Sequence, residues 1–169
     1  MSTEPQDQMD MGTKPIKEHE WLQRLVGDWK IETEMVMEPG APKMKSSGTA
    51  TTKSLGGLWA FSEAKETMPN GVATTSYLAL GYDVSFKEYR GCGIASMSSH
   101  LWKYMGTLSE DGKTMTLDCE GPSMVVDGET ALYRDVIELV DDNHRTHTSY
   151  GQNKSGGWDE FMKASYTRA

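Results

Sequence analysis

From Asp28 onward, segments rich in Thr, Val, Tyr, Trp and Ile recur every ten to fifteen residues, and turn chemistry separates them. The pattern predicts strands over 28–37, 46–55, 58–67, 73–82, 88–96, 100–109, 113–121, 130–140, 144–153 and 158–167. Pro69-Asn70-Gly71, Glu110-Asp111-Gly112 and Asp127-Gly128 are among the separators, and such pairs supply the positive φ of tight hairpin turns. Connections this short make neighbouring strands antiparallel. About ten hairpin-linked strands with no long crossover are best closed on themselves, because closure removes unpaired edges. The expected fold is therefore all-β: a closed, antiparallel, up-and-down barrel of about ten strands.

Before Asp28 the period is helical. Trp21, Leu22, Leu25 and Val26 form one apolar stripe, Pro15 suits a first turn, and Gly27 stands where a helix is expected to stop. This single short N-terminal helix must lay its stripe on the sheet or across a barrel end. Residues 1–15 are polar and aperiodic and are expected to be disordered, leaving 16–169 as one domain.

Several blocks carry a family resemblance: Glu20-Trp21-Leu22 with Leu25-Val26-Gly27-Asp28-Trp29, Ser54-Leu55-Gly56-Gly57-Leu58-Trp59, and Leu80-Gly81-Tyr82-Asp83. Further blocks are Ser96-Met97-Ser98-Ser99-His100-Leu101-Trp102, Tyr133-Arg134-Asp135-Val136-Ile137-Glu138, and His144-Arg145-Thr146 with Thr148-Ser149-Tyr150. Over about residues 17–167 the chain resembles a bacterial family of domains of unknown function. That family is similar in fold to the calycins: lipocalins, fatty-acid-binding proteins and nitrobindin-like barrels. The resemblance implies a ten-stranded barrel with an internal cavity and carries no activity with it.

Composition narrows the partners. The chain of 169 residues has a formal net charge of −8. That field repels phosphate backbones, so no nucleic-acid partner is expected. No apolar run approaches the roughly 20 residues of a membrane span, and Met1–Thr13 has neither a basic n-region nor an apolar h-region. A soluble, cytoplasmic protein without membrane insertion is expected, as a monomer or homodimer. Cys92 and Cys119 fall on strands separated by one other. Two strand spacings, about 9.6 Å, exceed the roughly 7 Å limit for bridged Cα atoms. Free buried thiols in a reducing compartment follow.

Candidate chemistry centres on 96–106. His100, Trp102 and Tyr104 alternate onto one face, opposite Leu101, Lys103 and Met105. One histidine among aromatics has the composition of a small-molecule wall, although a rim histidine bonded to the serine bend fits the same residues. Trp59, Tyr77, Arg134 and Tyr150 complete the expected wall. Glu63, after Trp59 and Phe61 on one face, is a possible buried carboxylate whose pKa would then rise, as is Glu160. Arg134 either binds a ligand's acid group inside or pairs with a neighbouring strand's carboxylate outside. Because it directly follows Tyr133, the two point to opposite faces, unlike the Arg and Tyr two apart in fatty-acid-binding proteins. His144 and His147, three apart, also point to opposite sides and cannot chelate one ion together.

No catalytic motif is found, and no cofactor or metal is expected. The leading expectation is a barrel that holds a small, mostly apolar ligand through Trp59, Glu63, Tyr77, His100, Trp102, Arg134 and Tyr150. Two alternatives stay open. One is an enzyme using His100 with Glu63 or Glu160, and the other is a structural or oligomerising barrel without a ligand.

Overall fold

The computed structural model describes residues 12–38 and 40–169. One helix, α1 (Lys17–Gln23), precedes ten strands: β1 (Gly27–Met35), β2 (Met44–Leu55), β3 (Trp59–Thr67), β4 (Ala73–Asp83), β5 (Glu88–Ala95), β6 (Ser98–Leu108), β7 (Thr114–Pro122), β8 (Thr130–Leu139), β9 (His144–Gln152) and β10 (Trp158–Arg168). Each strand pairs antiparallel with its neighbours in the chain, and β1 pairs with β10 to close the barrel. Every strand lies within two residues of the bounds predicted from the pattern. Of the expected disordered segment, residues 1–11 lie outside the described residues. No helix among the described residues is long and apolar enough to cross a membrane.

Antiparallel register lets one strand's parity fix the next. Ile31 stands opposite Gly48 and Tyr166, Leu80 opposite Ala60 and Gly91, and Leu117 opposite Gly106 and Asp135. All of these face inward. Inward glycines make room for rings: a β-carbon on Gly121 would collide with the indole of Trp102, and one on Gly106 with Tyr89.

The helix is shorter than the sequence suggests. It starts after Ile16, whose backbone N–H donates to His19 Nδ1 at 3.0 Å, so Pro15 lies outside it. Leu25 and Val26 follow in tight turns bonded to the Leu22 and Gln23 carbonyls. Gly27 does not cap the helix; it opens β1 with φ +134°, against the Arg168 side chain. The stripe lies across one barrel end. Trp21, Leu22 and Leu25 pack there on Ala60, Leu80, Tyr89, Met115, Leu117, Ile137 and Leu139. Leu22, Met115, Leu117 and Ile137 are wholly buried, each contributing roughly 1.5–3 kcal/mol. Polar links pin the plug: Tyr89 donates its hydroxyl to Glu18 O at 2.7 Å, and His19 Nε2 lies 3.2 Å from Tyr82 O.

Arg168 fastens the seam at that end. Its guanidinium donates to the Val26, Arg24 and Asp142 carbonyls and lies 4.2 Å from the centre of the Trp29 ring. Both cysteines are free. Cys119 is buried in β7, whereas Cys92 is exposed on β5. The expectation of two buried thiols is thus corrected: Cys92 takes the outer parity, opposite Lys103.

Candidate functional site

The end away from α1 is formed by residues 36–38 and 40–43 and by the connections 68–72, 96–97, 123–129 and 153–157. Met35, Met37, Met44, Met68, Met97, Met124 and Met162 gather at this end, leaving only Met105 and Met115 of the described methionines elsewhere. Just inside, four rings make an edge-to-face chain. His100 and Trp102 have centroids 4.8 Å apart, Trp102 and Tyr133 5.3 Å, and Tyr133 and Phe161 6.2 Å. Tyr133 donates its hydroxyl to Pro122 O at 2.6 Å and accepts from Met124 N, tying the ring chain to the 123–129 loop. An open depression of about 640 Å³ also lies at this end, flanked by Glu32, Glu34, Lys45 and Lys163. Its floor holds Thr33 and Ser46, which donate to Glu66 at 2.6 and 2.9 Å.

Between the ring chain and the plug lies an interior cavity of about 70 Å³. Leu25, Ala60, Leu80 and Ile137 line its plug side, while Thr52, Ser62, Ser76, Arg145, His147 and Tyr166 give it a polar wall. Thr52 donates to Ser62 Oγ at 3.0 Å. Arg145, only 4% exposed, lies 3.8 Å from the ring centre of Tyr166 and 4.8 Å from that of Trp29. Its Nε has no hydrogen-bond partner. Burial pushes the Arg145 guanidinium below the ordinary arginine pKa, opposed by Tyr166 and reinforced by nearby Arg168.

Beside His147, a carboxylate is sunk into the wall. Asp135 Oδ2 lies 3.2 Å from His147 Nε2, within ion-pair range but off the line of a hydrogen bond. Burial alone would raise the Asp135 pKa. The nearby His147 and hydrogen bonds from Ser149 and Tyr104 outweigh it and hold the carboxyl below its ordinary value. Tyr104 is driven the other way, first by burial and then by the Asp135 charge, and stays a neutral donor. Cys119 is pushed up to about 12 by burial and by the charges of Asp135 and Asp118. A thiol held protonated in this way is a poor nucleophile.

Two of the seven residues expected on the cavity wall, His100 and Trp102, face inward. His100 sits at the rim, with its N–H bonded to Ser98 Oγ and Nε2 3.3 Å from Glu120 O. The other five take the outer face. Trp59 lies over Gly81 there, and Phe61 stacks on Tyr77 with centroids 5.8 Å apart. Tyr77 donates to Glu63 Oε2 at 2.6 Å, and Lys65 Nζ stands 2.8 Å from Glu63 Oε1. Hydrogen bonds from Lys65 and Tyr77 hold the Glu63 carboxyl below its ordinary value, the reverse of the rise an inward carboxylate would show. Arg134 forms a two-pronged pair with Asp118 at 2.7 and 3.0 Å beneath Trp158, with Tyr150 opposite it in register. This is the outside pairing that the sequence left open. Glu160 is exposed, so neither carboxylate considered for His100 lies beside it. Exposed His144 bonds Asp141, while His147 points inward.

Sequence reasoning passed over Arg145, Asp135 and Tyr166. A signal for them existed in the parity of β9. Once Tyr150 faces outward with Arg134, Arg145, His147 and Ser149 must face in, and register then brings in Asp135 and Tyr166.

Known proteins add the following. The fold is similar to that of Rv2717c from M. tuberculosis, at 12% identity and TM-score 0.67, covering 91% of this chain and 98% of that one. It is also similar to CPES, an S-type phycobiliprotein lyase from Guillardia theta, at 13% identity and TM-score 0.58, covering 91% and 93%. At such identities the likeness concerns the fold alone. No curated protein matches the chain. Residues 14–168 match the family model described as "Protein of unknown function (DUF1579)".

Proposed function

Because the chain belongs to the DUF1579 family, whose description names no activity, we propose its role from the geometry: it holds a small molecule inside the barrel, in the cavity between the helical plug and the ring chain. One observation carries this reading. Polar side chains border free space in the interior, and the buried Arg145 Nε lacks a hydrogen-bond partner. A buried polar atom left this way is costly, and a ligand that bonds it relieves the cost. The size of the cavity bounds the ligand. About 70 Å³ is far below the roughly 300–1,000 Å³ of drug-sized sites. A compact molecule, or one polar end of a longer one, fits. The mostly apolar ligand expected from sequence gives way to one with a polar end. The open end is the entrance, and its thioethers suit an adaptable passage.

Native mass spectrometry of the freshly purified protein, joined to a thermal-shift screen of small polar molecules, tests this. Binding predicts a bound mass or a stabiliser. Ala64→Leu, which fills the cavity, should abolish either one, whereas outer-face Tyr77→Phe should not. The reading falls if no molecule binds, or if Ala64→Leu leaves binding intact.

A second reading rests on the His147–Asp135 pair at 3.2 Å. A histidine beside both a carboxylate and a ligand cavity is placed for acid–base work. In that case His147→Gln should stop turnover of a ligand found in the screen while sparing its binding.

A further inference from the structure

We infer that the occupant of the cavity is an anion, a carboxylate or a carboxylate-like group, seated against the guanidinium of Arg145. This deepens the interior-binding reading and rests on it.

A buried guanidinium ordinarily has an acid beside it, because desolvating an unpaired charge is unfavourable. Arg145 is 4% exposed, and its Nε has no acceptor. Two aromatic faces attend it, those of Tyr166 and Trp29. Such faces stabilise a cation but leave its N–H edges without acceptors. The inward carboxylates of the described residues are already engaged. Asp135 is held by His147, Ser149 and Tyr104, and Glu66 accepts from Thr33 and Ser46. No ion pair joins either one to Arg145 among the described residues.

The local field has the matching sign. Arg168 lies over the same indole as Arg145, so two guanidinium groups share Trp29. Burial and Arg168 both disfavour the charge on Arg145, and a bound anion would stabilise it. The guanidinium edge suits the two oxygens of a carboxylate. The hydroxyls of Ser62, Ser76 and Tyr166 on the same cavity can donate to an anion. A cavity of about 70 Å³ is several times the roughly 10–15 Å³ that one water needs, which is room for a carboxyl group.

The test uses the full chain with sodium acetate as probe, and acetamide and sodium chloride, at matched concentration and ionic strength, as controls. Thermal shift and calorimetry read binding, and nitrogen-15 spectra read the Arg145 Nε–H resonance. The expected result is stabilisation and a moved Nε–H signal with acetate alone. In Arg145→Gln, acetate affinity should fall at least tenfold, while outer-face Arg134→Gln keeps it. If Arg145→Gln fails to fold, the wild-type Nε–H titration decides. Equal binding of acetate and acetamide, or an unmoved Nε–H signal, overturns the anion inference while the interior-binding reading stands. If neither probe binds, the inference is overturned, and the interior-binding reading falls with it only if mass spectrometry and the wider screen are also empty.

Discussion

Two walls of the barrel interior differ in what their inward residues do. Along β7 and β8, Met115, Leu117 and Ile137 pack under Leu22 of the helical plug, and the polar atoms of Tyr89 and His19 are bonded to backbone carbonyls. Along β9, the inward residues are Arg145, His147 and Ser149; Arg145 and His147 border the cavity, and Arg145 Nε has no hydrogen-bond partner. The first wall carries stability through apolar burial, which is insensitive to pH. The second retains a polar group that folding alone does not use. That difference is why the proposed binding site is placed against β9.

Four substitutions test the contrast, from the largest expected effect to the smallest. Leu22→Ala empties a wholly buried site under the plug and should cost about 2–5 kcal/mol in denaturant unfolding. A loss under 1 kcal/mol would mean that the plug is not a stabilising element. Asp135→Asn strips the charge from the buried pair with His147. A loss of about 3 kcal/mol at neutral pH is expected, the low end for breaking such a pair. This pair also sets an acid limit. The folded Asp135 pKa lies below its ordinary value of 3.8, so its contribution is present at neutral pH. It is lost as the pH falls below 3.8 toward the depressed value. Stability measured against pH should therefore drop less steeply in acid for Asp135→Asn than for wild type.

Trp102→Ala removes the central ring of the chain at the open end. Because Trp102 is only half-buried, a loss of about 1–2 kcal/mol is expected, below the roughly 3–5 of a fully buried aromatic. Ligand exchange, followed by stopped-flow fluorescence, should quicken. Arg134→Ala breaks only an outer-face pair with half-exposed Asp118. The change should stay within about 1 kcal/mol, and a larger effect on binding would place that face in the site after all.

The same contrast explains what the sequence made legible. Strand positions could be read because turns such as Pro69-Asn70-Gly71 and Asp127-Gly128 punctuate them. The inward face of β6 could be read because Lys103 marks the other side. On β3 the usual rule failed. The bulky Trp59 and Phe61 lie outside, while the small Ala60, Ser62 and Ala64 face in to leave room for the plug and the cavity. Glu63 and Lys65, on the same parity as Trp59, were the available warning. On β9, His144-Arg145-Thr146-His147-Thr148-Ser149 holds no apolar residue, so hydrophobic alternation had nothing to mark. The site is hidden from pattern reading because a polar interior looks like a surface.

The β1–β10 seam bears on how the molecule comes into being. It joins residues 29–35 to residues 162–168, with Arg168 reaching back to Arg24 and Val26. During synthesis, hairpins from β1 to β9 can form as they emerge, but the second edge of β1 must wait for β10. Contacts so distant along the chain make closure slow, and until it occurs the sheet has two open edges of the kind that pair with other chains. The interval before the last strand is made is therefore the time of greatest exposure to aggregation. Shortening the chain from its C-terminal end would make that interval permanent.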